Sequence, residues 1–137
     1  MKAQLKIAPA SISALQVGLL SAEEHILAAT RAAFERSSKN LFHKAVNSTP
    51  RRTGALAHSG QLHDKSSGSL LQSVVSFGTD LTNPENHKKT SEYAVLVHEV
   101  YHAEYPDSYK WLEKTVNAYG EQQFINDLAE AIASALR

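Results

Sequence analysis

The HEVYH segment at residues 98–102 is the part of the sequence whose residue types and spacing most directly suggest chemistry. It matches H-E-x-x-H, in which two histidines one helical turn apart bind a zinc ion and the glutamate acts as the general base of a metallopeptidase. A zinc site of this kind needs a third protein ligand. No histidine follows His102, so that ligand would be an acidic residue: Glu104, Glu113 or Glu121.

The residues around this segment predict a β-strand instead of a helix. Residues 92–101 are rich in β-branched and aromatic side chains, and Pro106 prevents a helix from continuing far past His102. On a strand, His98 and His102 would lie about 13 Å apart, and Glu99 would point to the opposite face. Zn–N bonds of about 2.0–2.1 Å cannot bridge that distance. We therefore interpret the match as a coincidence and keep a zinc metallopeptidase using His98 and His102 as the alternative.

The composition is that of one folded domain. The chain has 137 residues, of which 42% are hydrophobic and 20% charged, so we treat residues 1–137 as a single domain with one core. Cysteine is absent, which excludes disulfides, thiolate metal sites and a thiol nucleophile. There is no signal-peptide pattern, no apolar run long enough to span a bilayer and no glycine-rich phosphate loop. We expect a soluble intracellular protein with no membrane contact and no cofactor.

Local patterns predict an α+β fold, with a long N-terminal helix, a small antiparallel β-meander sheet and a C-terminal helix packed on the sheet. The long helix is expected at residues 22–47, because Ser21 and Glu24 form a capping box and apolar residues follow at helical spacing. Runs of alternating or β-branched residues predict the strands. These runs lie at residues 2–8, 57–63, 70–77 and 92–101, with a hairpin turn at 64–68.

The segments outside these elements also lead to expectations. Residues 1–20 are expected to form an N-terminal strand or arm. Residues 79–91 form a polar loop that is long for a hairpin connection, so we expect it to be exposed and to take part in binding. Further along, Asp107 or Ser108 caps a short helix, which Gly120 breaks or bends. The last helix presents five large apolar side chains at helical spacing: Phe124, Ile125, Leu128, Ile132 and Leu136.

Charge is balanced overall but uneven along the chain. The formal net charge is zero, so the whole protein creates no field that would attract nucleic acid or membranes. Residues 36–63 contain five Lys or Arg and no acidic residue, whereas acidic residues dominate from Glu104 onward. A basic side and an acidic side would suit head-to-tail packing of identical subunits. A nucleic-acid-binding module that uses residues 36–63 is the other function that this pattern allows.

Three segments, in order, resemble a known family. Residues 49–56 (TPRRTGAL) follow the long helix, residues 93–99 (YAVLVHE) form the last predicted strand, and residues 110–116 (KWLEKTV) open the C-terminal helical region. They are similar to the T-P-x-x-T-G-x-L turn, the Y-A-x-x-V-(H/E)-E strand and the K-(F/W)-L-E-K helix start of the small minor capsid, or tail-completion, proteins of tailed bacteriophages. The long 79–91 loop and the extra His102 depart from the family pattern.

The resemblance implies a non-enzymatic connector in the neck of the virion, made in the host cytoplasm. Family members form a ring, here expected to be a hexamer, that links the head–tail adaptor below the portal to the tail terminator or tail tube. The ring encloses the DNA channel, so contact with DNA would be non-specific. We expect contacts with subunits or neck proteins at Arg51, Arg52, Thr53, Gly54, Asn83, His87, Lys88, Lys89 and Glu99. Other matched residues are expected to be structural: Leu56, Tyr93, Ala94, Val97, Trp111, Leu112 and Glu113.

Overall fold

The structure is a computed structural model that describes residues 1–7 and 23–137. Its elements are β1 (Lys2–Ile7), α1 (Glu23–Ser48), α2 (Ala55–His58), β2 (Gln61–Asp64), β3 (Leu71–Ser76), α3 (Thr90–Glu99), a 3₁₀ turn (Pro106–Ser108) and α4 (Trp111–Ala135). The predicted capping residue Ser21 and most of the predicted N-terminal arm lie outside the described residues. Among the residues described, no helix is both long and apolar enough to cross a membrane.

The three strands form an antiparallel sheet in the order β1-β3-β2. Lys2 of β1 and Gln61 of β2 both lie opposite Ser76, so β3 is the central strand. The predicted hairpin turn is confirmed, since Ser67 and Leu70 exchange backbone hydrogen bonds at 3.0 Å between β2 and β3. The α+β fold class is also confirmed: a long N-terminal helix, a small antiparallel sheet and a C-terminal helix that contacts the sheet.

The third strand of the sheet is β1, and the strand predicted at residues 92–101 is wrong, because that segment forms α3. The inward positions of α3 follow the helical period: Thr90, Ala94 and His98 are buried at intervals of four residues. β-Branched side chains favour a strand only where they pack on a pleated surface. Here the packing of one helical face on the core outweighs that preference.

The strand predicted at residues 57–63 begins later than expected, because Ala55–His58 form the helical turn α2. The chain then passes through Gly60, where an added Cβ would lie 2.8 Å from the Phe77 ring. A side chain at this position would collide with the core, so only glycine lets the backbone approach it. β2 therefore starts at Gln61, after this close approach.

The long helix is confirmed, and α1 and α4 form the helical layer of the domain. Phe34 of α1 packs on Phe124 of α4, with ring centroids 5.4 Å apart, and Tyr119 packs edge-on against Phe124 at 5.2 Å. Leu5 of β1 contacts the same cluster, which joins the helical layer to the sheet. Burial of each large side chain of this kind stabilises the fold by about 1.5–3 kcal/mol.

The break predicted at Gly120 is confirmed: its φ of 73° and ψ of 157° interrupt α4. The predicted caps of this helix are wrong, since Lys110, at φ 55°, precedes α4 and no side chain caps it. The predicted apolar face of the last helix is only partly right. Phe124, Leu128 and Ile132 are buried, but Ile125 and Leu136 are 44% and 51% exposed.

Candidate assembly interface

The three segments that carry the family resemblance meet in one part of the core. Leu56, Ala94 and Trp111, one from each segment, are buried in the same hydrophobic cluster. Phe77 also belongs to it, and its ring stands edge-on to Trp111 with the centroids 4.6 Å apart. The segments therefore position one another, and each fixes where its neighbouring polar residues lie.

Gly54 sets the geometry of the turn at residues 49–56. Its φ of 83° and ψ of −5° lie in the left-handed region, which glycine adopts at little steric cost. The backbone carbonyl of Gly54 accepts a hydrogen bond from the His58 N–H at 2.9 Å. The Thr53 hydroxyl oxygen accepts one from the Ala55 N–H at 3.3 Å. Thr53 and Gly54, both predicted as interface residues, are half-buried and shape this turn.

Arg51 and Arg52 project from this turn and are exposed. Arg52 Nε lies 2.7 Å from Glu85 Oε2, which joins the turn to the 79–91 loop. An exposed ion pair of this kind contributes only about 0–1 kcal/mol. Arg51 donates instead to the backbone carbonyl of Val46 at 3.4 Å, and it has no carboxylate partner among the described residues. Its charge is therefore available to an acidic group outside the subunit.

The 79–91 loop is closed on itself by backbone and side-chain hydrogen bonds. The Thr90 hydroxyl oxygen accepts a bond from the Thr79 N–H at 2.8 Å, and the Asn83 N–H donates to the Lys88 carbonyl at 2.8 Å. Asn83 is only 8% exposed, so its contacts are internal, although we predicted it as an interface residue. The other loop residues predicted at the interface are exposed: His87, Lys88 and Lys89.

The HEVYH segment spans the end of α3, so its two histidines do not share a helical face. The helix ends at Glu99, and Val100 is extended, with φ −101° and ψ 122°. His98 is buried, whereas His102 is exposed. Strand geometry was the wrong reason for doubting a zinc site, but the end of the helix separates the histidines all the same. No cluster of three potential metal ligands occurs in the part of the chain that the structure describes.

Both ring nitrogens of His98 are engaged inside the protein. Nδ1 lies 2.6 Å from Glu99 Oε1, and Nε2 accepts the Glu113 N–H at 3.4 Å. This pattern assigns the ring proton to Nδ1. The His98 ring also stands edge-on to Trp111, with the centroids 6.2 Å apart. His98 therefore holds α3 against the start of α4.

Glu99, predicted as an interface residue, is the electrostatic link between α3 and α4. Its Oε2 lies 2.6 Å from Lys110 Nζ. The hydrogen bond from Lys110, together with that from His98, lowers the pKa of Glu99, and the Glu99 carboxylate in turn raises the pKa of Lys110. The Lys110 N–H also donates to the His98 carbonyl at 2.8 Å. Side-chain and backbone contacts thus fix the angle between the two helices.

Large apolar side chains are exposed on the outer side of α3 and just after it. Leu96 is 61% exposed and Val95 51%, both on the helix, while Tyr101 is 61% and Tyr105 67% exposed in the segment that follows. Single exposed apolar side chains are ordinary, but five large ones within residues 95–105 mark a candidate interaction site. We call Val95, Leu96, Val100, Tyr101 and Tyr105 the α3 surface. The strand predicted from the sequence did not indicate this surface, because a strand would place Val95 and Leu96 on opposite faces.

Charges of opposite sign meet in the two clefts between α1 and α4. Lys44 and Asp107 line one cleft between α1 and the start of α4, and Arg36 and Glu130 line a second one. Charges that are far apart in sequence become neighbours because α1 and α4 run side by side. The acidic neighbours weaken the field of residues 36–63, on which the nucleic-acid alternative depends.

Comparison of the chain with protein-family models, with curated proteins and with solved structures gave no match. The family resemblance therefore depends on the three segments at residues 49–56, 93–99 and 110–116.

Proposed function

We propose that this protein is a structural subunit of the neck of a tailed bacteriophage. In this proposal six copies form a ring that links the head–tail adaptor to the tail terminator or tail tube. The subunit has no catalytic role, and its function is to bind other proteins around the DNA channel. The ordered resemblance of the three segments is the starting point of the proposal, and the exposed surfaces of the fold support it.

The α3 surface is the observation that carries the proposal. Its five side chains are all large, apolar and at least 41% exposed. Covering such side chains with a neighbouring subunit would remove apolar area from water, which stabilises an assembly by about 25 cal/mol per Å². Aromatic residues such as Tyr101 and Tyr105 are also enriched at the centres of protein interfaces. An assembly subunit explains this exposure better than an isolated monomer does.

The α3 surface is also well anchored, as an interface should be. Behind it, Ala94 is 1% exposed in the core cluster, and His98 and Glu99 tie the end of α3 to Lys110. A surface held in one conformation loses less entropy when it binds than a mobile one does. Arg51, exposed and without a carboxylate partner in the described part, would supply a charged contact to an acidic neighbour or to channel DNA.

Deletion of the gene from the phage genome that encodes it tests the proposed function. We expect DNA-filled heads and finished tails to accumulate as separate particles, because the ring that joins them is missing. Electron microscopy of the lysate and a titre of infectious particles measure this. A plasmid copy of the wild-type gene should restore joined virions. Normal joined virions without any copy of the protein would contradict the proposal.

A further inference from the structure

A cleft of about 570 Å³ lies between the C-terminal half of α1 and the first turns of α4. Lys44 and Asn47 line it from α1, Lys114 and Ala118 from α4, and Asp107 from the 3₁₀ turn. The buried rings of Trp111 and Tyr119 also line it. The cleft therefore combines apolar side chains with ammonium groups contributed by two different helices.

Both lysines are exposed, and each contacts an aromatic ring. Lys44 Nζ lies 5.2 Å from the centroid of the Tyr119 ring, and Lys114 Nζ lies 5.8 Å from that of Tyr109, both within the range of cation–π attraction. Neither lysine forms an ion pair with any described residue. Because both lysines line the cleft, an anion bound there would be attracted by two positive charges.

The other polar groups narrow the choice of ligand. The Ser48 and Thr115 hydroxyls donate to backbone carbonyls of their own helices, each at 2.8 Å, so their protons are already used. The donors left for a ligand are the two ammonium groups, the Asn47 amide and the indole N–H of Trp111, which is buried and has no hydrogen-bond partner among the described residues. Two lysines and Asp107 give the cleft a net charge of +1, which matches a monoanion better than a doubly charged phosphate.

We propose that this cleft binds the carboxylate of an acidic side chain projecting from a partner polypeptide. The carboxylate lies between Lys44 and Lys114 and accepts hydrogen bonds from their ammonium groups, while its methylene stem packs on Ala118 and the aromatic rings. Asp107 disfavours ligands of higher negative charge, including the phosphates of nucleic acids. This site is separate from the α3 surface, and the inference does not depend on ring formation.

Tryptophan fluorescence can report binding in the cleft, because Trp111 is the only tryptophan in the chain and it lines the cleft. The wild-type protein would be titrated with a capped oligo-glutamate peptide while tryptophan fluorescence is followed, and with an oligo-glutamine peptide, inorganic phosphate and duplex DNA for comparison. We expect the glutamate peptide to bind and the glutamine peptide to leave the fluorescence unchanged. Tighter binding of phosphate or DNA than of the glutamate peptide would overturn the proposed ligand class.

Variants at the cleft complete the test. Lys44→Gln and Lys114→Gln should each weaken binding of the glutamate peptide by about tenfold, since each removes a charge-assisted hydrogen bond. Lys39→Gln is the matched control, because Lys39 is also on α1 but pairs with Glu35 outside the cleft, and it should bind like the wild type. Asp107→Asn should tighten binding and admit phosphate. Equal affinities for the wild type, Lys44→Gln and Lys114→Gln, or weaker binding by Asp107→Asn, would refute the site.

Discussion

The Glu99 carboxylate lies 2.6 Å from the Lys110 ammonium group and also 2.6 Å from His98 Nδ1. Lys110 has a left-handed backbone, with φ 55°, which a residue other than glycine adopts only when its surroundings stabilise it. The ion pair and the backbone bond from the Lys110 N–H to the His98 carbonyl supply that stabilisation. This joint between α3 and α4 determines the direction in which the α3 surface points.

Glu99→Gln should weaken the contact between the end of α3 and the start of α4. We expect a lower melting temperature than that of the wild type at low ionic strength, because Lys110 loses its charged partner. The difference should shrink in about 1 M salt, where charges are screened beyond ~3 Å. Glu104→Gln is the control, since Glu104 is exposed, lies outside the helices and has no ion pair in the described part. Equal melting temperatures for Glu99→Gln and the wild type at low salt would contradict this role.

The two histidines of the HEVYH segment should respond differently to substitution. His98→Ala removes a buried ring with two hydrogen-bond partners and should destabilise the protein by about 1–3 kcal/mol. His102→Ala, at an exposed position, should change the free energy of unfolding by less than about 0.5 kcal/mol. Urea denaturation with and without a chelator measures both. Equal losses for the two variants, reproduced by the chelator in the wild type, would favour the zinc alternative.

The ionisation of Asp127 should make the stability of the protein depend on pH. Burial opposes ionisation, but hydrogen bonds donated by Ser37 at 2.6 Å, Gln123 at 2.8 Å and Tyr119 at 3.1 Å outweigh it and hold the pKa of Asp127 below its usual 3.8. The pKa of Asp127 is thus lower in the folded protein than in the unfolded chain. The ionised carboxylate therefore stabilises the fold fully at pH values above the unfolded pKa. This stabilisation is lost as the pH falls through the folded pKa.

The corresponding measurement is the melting temperature of Asp127→Asn and of the wild type as a function of pH. The wild type should be more stable at neutral pH, because the amide offers one acceptor oxygen where the carboxylate offers two. The gap between the two proteins should narrow as the pH is lowered below 3.8. A gap that stays constant over the whole range would show that ionisation of Asp127 makes no contribution.

Leu96→Glu should prevent self-association while leaving the subunit folded. Leu96 is 61% exposed in the α3 surface, so a charge there is tolerated in the free subunit but is costly to bury against a neighbour. Ile125→Glu is the control, because Ile125 is 44% exposed but lies on α4, away from this surface. Native mass spectrometry should give a hexamer for the wild type and Ile125→Glu, and monomers for Leu96→Glu. A hexamer of Leu96→Glu would assign assembly to another surface.

Some elements of this fold follow from local sequence alone. The apolar spacing from Ile26 to Ala45 predicts α1 because a single helix satisfies it whatever lies beside it. The turn before β3 and the break at Gly120 were also predictable, since glycine and the polar residues around a turn act through their own backbone preferences. Even the edge strand β1 was expected near residues 2–8.

Tertiary packing decided the rest, because the local signals of the remaining segments pointed to more than one structure. Val95 and Val97 favour a strand locally, yet burial of Ala94 and His98 on the core makes the segment a helix and turns Leu96 to the outside. The helical conformation of residues 90–99 is therefore the origin of the α3 surface. The cleft between Lys44 and Lys114 likewise exists only because α1 and α4 lie side by side, and no local pattern encodes the distance between residues so far apart in sequence.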